Sequence, residues 1–548
     1  MDLLVDLFGY LSIVIHGLTI LSQSVALGGV LFLVLLARPL GVPMIAAGTA
    51  RIAGWAALAL LLSEAATVAL QAAVLMDTVD LSLREALTAE FAIAGLIKTV
   101  AAGVMALLLL GRRERAPAGP LLALTVIELA AATLTTHAAA RLDSRFWLLV
   151  VEGLHQLGAA IWIGGIPCFL LALARVRDGA ALRLVGARFS RMSMAGVACI
   201  LVSGITMSLL YIGSWRGFYG TAFGVMVGAK IALFLMLLAL GGMNFLMVER
   251  LRIEPATSIN RLRRFAEVEF GIGIAIFFAA ASLTSVPPAV DLTRDRVSWA
   301  EIVERNTPEW PRLSSPGHDV LALPALQAKL DAEAAAKKGA PQVAFVPGGG
   351  ELPPRNAEDI AWSEYNHHWA GLFVAGVGLL ALLNRAGLRW ARHWPLIFLG
   401  LAVFLFFRSD PEVWPMGAEG FFDSLRDVEV LQHRFFVLLI VVFAFFEWRV
   451  RATNWTNRHA ALVFPLLCAA GGTMLLTHSH AIANVKDQLL IELTHTPLAL
   501  AGIAAGWARW LEIKLNRREN PVSWQIAGWV WPVCILFCGL LLLGYREA

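Results

Sequence analysis

The feature that most limits what this chain can fold into is a recurrence. Apolar runs of about twenty residues, the length needed to cross a ~30 Å hydrocarbon layer, follow one another from end to end. No water-soluble core absorbs so many. Composition agrees: 58% of the 548 residues are hydrophobic and only 15% are charged, where a soluble domain carries about 25% charge. The chain therefore reads as an all-α polytopic membrane protein whose main partner is the lipid bilayer. The net charge of +4 is spread over short loops, and no basic block suggests a nucleic-acid partner. The first apolar run lacks a basic leader and continues as a long span, so it reads as a span and not as a cleavable signal.

The pattern predicts about fourteen spans, near 9–36, 54–75, 90–110, 119–138, 147–174, 192–213, 223–247, 265–286, 365–384, 394–408, 430–448, 460–478, 488–511 and 525–545. Odd-numbered loops are basic, for example Arg112, Arg113 and Arg115 in the third and Arg250, Arg252, Arg261, Arg263 and Arg264 in the seventh. Basic loops stay cytoplasmic, so both termini are expected outside. A hydrophilic stretch rich in alanine, proline and glycine interrupts the series. The expected division is 1–286, an eight-span membrane domain; 287–363, an extracytoplasmic linker or small cap; and 364–548, a six-span membrane domain.

On that topology nine of the twelve histidines fall on the outer side: His16, His137, His155, His367, His368, His433, His478, His480 and His495. Only His393 and His459 map inside, and His318 lies in the long loop, where all three read as solvated. Chance placement would divide the flanking histidines evenly, and helix packing asks for no such asymmetry. Imidazole suits copper, zinc and haem iron, and polar groups inside a membrane tend to mark function. A lone histidine at a span end is more often an interfacial hydrogen-bonding residue. A repeat argues otherwise here. Residues 136–155 read "THAAARLDSRFWLLVVEGLH" and residues 477–495 read "THSHAIANVKDQLLIELTH". In each, Thr-His closes one span and a second histidine lies two turns into the next, at separations of 18 (155 − 137) and 17 (495 − 478). His367 or His368 would stand where His16 stands in the first half. Adjacent residues on a helix point about 100° apart, so one of the two faces any shared site.

Other polar positions lie in the spans. Glu64, Lys98, Glu128, Glu152, Lys230 and Glu269 read as paired charges or as a path; Glu152, one turn before His155, is placed to orient that imidazole. Met207 and Met226 are the methionines expected to touch a soft metal, although methionine at helical spacing is more often core. The five cysteines sit in apolar runs and read as packing residues. No Walker, phospho-aspartate or HExxH motif is present, which argues against an ATP-driven pump and for a transporter over an enzyme.

Residues 130–250 resemble the CopD family of copper resistance and copper uptake proteins. The stretches that carry the likeness are "TTHAAARLDSRFWLLVVEGLHQLGAAIWIGGIP", "RFSRMSMAGVACILVSGITMSLLYIGSW" and "GTAFGVMVGAKIALFLMLLALGGMNFL". The resemblance implies copper handling at the bacterial inner membrane, a periplasmic CopC-like partner, and roles for His137 and His155. Two other readings of the residues stand beside copper transport. One is a membrane redox protein holding haem b between histidine pairs such as His16 with His155 or His433 with His495. The other is a scaffold that recruits a periplasmic copper chaperone.

Overall fold

In a computed structural model the described residues are 7–547 except 80, 142–143, 177, 293–295, 322–356, 418, 454, 456, 458 and 478–484. Every apolar run forms a helix. Among the described residues, twelve helices are long and apolar enough to cross a membrane. They are α1 (Phe8–Ala37), α2 (Pro43–Thr78), α3 (Glu90–Arg115), α5 (Arg145–Arg175), α6 (Gly179–Tyr211), α7 (Ala222–Ile253), α8 (Asn260–Leu283), α9 (Ala357–Arg385), α10 (Arg389–Arg408), α11 (Val428–Ala452), α13 (Val485–Lys514) and α14 (Pro521–Leu543). The runs read as the fourth and twelfth spans give shorter helices, α4 (Ala118–Thr133) and α12 (Ala460–Leu475). The chain is a multi-pass α-helical membrane protein. Helices dominate because backbone polar groups in lipid must be satisfied within the segment.

The chain divides into two compact units. One is built from Leu11–Trp215 and Lys230–Asp291. Its α1 and α5 cross at glycines: a Cβ on Gly28 would overlap the Ala160 carbonyl oxygen, and one on Gly164 would overlap that of Ser24. Small residues allow this closeness, the usual basis of helix association in lipid. Both helices carry a π-helical stretch, Leu33–Ala37 and Ala160–Gly164. The crossing brings Gln23 of α1 to Gln156 of α5, whose amides bond at 3.0 Å.

The other unit comprises Leu292–Ala548 with Met1–Tyr10 and Arg216–Ala229. Its core is aromatic, with Trp394, Phe398, Phe443, Phe464 and Trp531 packed mainly edge to face. Part of the stretch expected to be a linker or small cap belongs here. A short helix, Trp299–Asn306, starts at a Ser298–Glu301 capping box and buries Val297 and Ile302 beside Leu489. At one end of this unit five charges interlock. Glu447 accepts from Arg451 (2.6 Å) and Arg509 (3.1 Å), and Glu512 accepts from Arg509 (2.6 Å), Arg385 (2.5 Å) and the Trp531 indole (2.8 Å). Arg385 and Arg451, which sit among the basic loop residues, are half-buried partners here.

Candidate metal centre

In the first unit His155 sits in the middle of α5. Its Nδ1 bonds the Ser203 hydroxyl of α6 at 3.0 Å, and that hydroxyl donates to the Cys199 carbonyl at 2.6 Å. Ser203 therefore accepts from Nδ1–H, and the Nε2 of His155 carries the lone pair. Glu152 does not orient this ring as expected; its carboxylate accepts from Gln156, one turn further on, at 3.2 Å. Lys230 lies within electrostatic reach of both Glu152 and His155. His16 keeps different company, within electrostatic reach of Lys98, which pairs with Glu64. Glu64 is thus held in an ion pair. His137 opens a short helix, His137–Ala140, before α5, and its side chain lies outside the described residues. Met207 is half-buried and Met226 buried, and the two fall in different units.

In the second unit His367 of α9 and His495 of α13 face each other edge to face, with ring centroids 6.3 Å apart. Each ring donates Nδ1–H to the carbonyl four residues back, Ser363 and Ile491 respectively, both at 2.9 Å. Both present Nε2 as the lone-pair nitrogen, the same tautomer as His155. Tyr545 stacks on His367, and its hydroxyl donates to Glu547 at 2.6 Å. Glu547 also accepts from Ser363 at 2.5 Å. Carbonyl and carboxylate partners of this kind fix the tautomer and orientation of metal-binding imidazoles.

His368 is turned away from this pair. Its Nδ1 accepts from the Arg312 backbone N–H at 2.7 Å, and its Nε2–H donates to the Tyr545 carbonyl at 2.8 Å. Of the adjacent histidines, His367 is the one that meets His495. His433 bonds Asp410 at 2.7 Å and lies within electrostatic reach of His367. His318 is not simply solvated; its Nε2–H donates to the Pro411 carbonyl at 2.5 Å and its ring meets Trp362. His478 and His480 lie outside the described residues. Among the described residues no group of three His, Cys, Asp or Glu side chains is placed to hold a metal ion. Sequence reading missed Ser203, Tyr545, Glu547 and Asp410, which fix the rings. Only their positions near span ends or within apolar runs could have flagged them.

Fold and site together define a polytopic α-helical membrane protein with histidines whose tautomers are fixed by hydrogen bonds. The family model for copper resistance protein D matches residues 183–283, from α6 to the end of α8. Over these residues the chain is similar to that family. The copper transport protein CutJ of Bacillus subtilis is 33% identical over 162 residues, 29% of this chain and 29% of that protein. No solved structure matches. The matched residues begin beyond His137 and His155, so the family model itself does not reach those two positions.

Proposed function

We propose that the protein moves copper across the bacterial inner membrane, accepting it on the periplasmic side through outward-facing histidines. The observation that carries this is the CopD domain at 183–283. The tautomers support it. His155, His367 and His495 each hold a proton on Nδ1 and offer Nε2, the form in which imidazole binds a metal. His367 and His495 form a two-imidazole face in the second unit, with His478 and His480 close to it in sequence. Copper is cargo in this reading, and a CopC-like copper-binding protein is the donor it implies. The test is copper uptake into proteoliposomes holding the full chain. Uptake in the wild type that is lost when His155, His367 and His495 are replaced together supports the reading; unchanged uptake overturns it.

The second reading, haem b held by a histidine pair, draws on the same His367–His495 juxtaposition. A Soret band from the purified protein would establish it, and metal analysis returning copper alone would remove it.

A further inference from the structure

We propose that Glu128 is a proton-binding carboxyl inside the membrane, and that it releases this proton outward as copper passes inward. The second clause rests on the transport reading above; the first stands without it.

Glu128 lies on α4 with no exposure to solvent. Neither of its carboxyl oxygens has a hydrogen-bond partner among the described residues. The charges acting on it are Lys98 of α3 and Glu64 of α2, which pair with each other and are themselves buried, at 4% and 2% exposure. His16 of α1 lies within electrostatic reach of Lys98. One turn before Glu128, the Thr125 hydroxyl is occupied by the Leu121 carbonyl at 2.9 Å. Two carboxyls therefore share one ammonium, and that ammonium is already committed to Glu64.

An ionised, unpaired carboxylate costs several kcal/mol in such surroundings, and the group neutralises instead. With Glu128 protonated, the set of Glu64, Lys98 and Glu128 sums to zero. With the proton gone it holds one uncompensated negative charge. That charge is stable only while another cation is near. A proton and a copper ion are then alternatives at this place, which is the condition for exchange. Glu64, Lys98, Glu128 and His16 all lie in the half of their helices that the loop charges place outward, the side from which copper is taken. Intramembrane acids of this kind commonly mark ion and proton paths.

Two measurements test the proposal on the full-length protein. Infrared difference spectra of the purified protein at neutral pH are expected to contain a carboxylic C=O band that shifts in D2O. The band should be absent from Glu128→Gln and retained, displaced, in Glu128→Asp. No such band in the wild type overturns the proton assignment, whether or not the protein moves copper. In proteoliposomes with copper added outside, an inside-acid gradient is expected to accelerate uptake by the wild type. Uptake by Glu128→Gln should lose its response to the gradient. Wild-type uptake that ignores the gradient, or is hastened by an outside-acid one, overturns the exchange but leaves transport standing. No uptake at all overturns transport and exchange together, while the infrared band still decides the proton. Glutamine has the shape and neutrality of the protonated acid, so Glu128→Gln should melt within a degree or so of the wild type. A large fall in melting temperature shows an ionised structural partner and overturns the assignment.

Discussion

The ring of Tyr545 lies on that of His367, centroids 3.8 Å apart and planes 18° from parallel, while its hydroxyl and Ser363 converge on Glu547. The last residues of the chain thus clamp an imidazole on α9. If His367 takes part in copper binding, this clamp sets its affinity. Tyr545→Ala or Glu547→Gln should weaken copper binding by roughly 10–100-fold, the usual effect of removing a group that orients a ligand. Copper titration of purified protein with a competing chelator measures it, and His495→Ala should lower the number of ions held.

His368 gives the contrast. Both of its ring nitrogens serve backbone groups, at Arg312 and Tyr545. His368→Ala should leave copper stoichiometry unchanged and destabilise the second unit by about 1–3 kcal/mol, the cost of stranding buried polar groups. Thermal unfolding in detergent beside metal analysis separates the two effects. A lost copper ion would make His368 a ligand after all.

Glu447 is paired with both Arg451 and Arg509. Glu447→Ala should therefore cost about 3–5 kcal/mol, because breaking a buried pair strands its partners. Substituting Arg250, whose pair with Glu254 at 3.2 Å is exposed to solvent, should cost under about 1 kcal/mol. Comparing melting temperatures tests the difference.

The loop between α10 and α11 should respond to pH. Burial pushes the Glu412 carboxyl up to about 7 from an ordinary 4.5, helped by Asp410, Glu429 and Asp427 nearby. The folded state thus binds this proton more tightly than the unfolded chain. Its contribution to stability is full below pH 4.5, falls as pH rises toward 7, and is constant above. Glu412→Gln should flatten that part of the melting temperature against pH. An unchanged profile would place the proton elsewhere.

The helices were legible in the sequence because hydropathy over twenty residues is a summed signal that no single substitution hides. The facing pair His367 and His495 was only half legible. Spacing placed both near one membrane face, but which of two adjacent histidines turned inward depends on helix rotation, and α9 rotation is set by glycine contacts with α14, Gly371 against Leu543 and Gly539 against Ala375. Glu152 failed as the orienter of His155 for a related reason. One turn of spacing made it a neighbour, yet Ser203 arrives from another helix, and sequence periodicity carries nothing about tertiary partners. The reading of 287–363 as a linker or small cap did not single out Val297 and Ile302, because a single short amphipathic turn is a weak signal among prolines and glycines.

Arg385 has consequences for the order in which the protein can be made. Its recorded partners, Glu512, Trp524 and Trp529, together with Gly528, whose missing side chain makes room for the guanidinium, all come more than a hundred residues later. Arg509, the second partner of Glu447, comes from the same late stretch as Glu512. The charges contributed by α9 and α11 are thus matched by groups that α13 and α14 bring last in chain order.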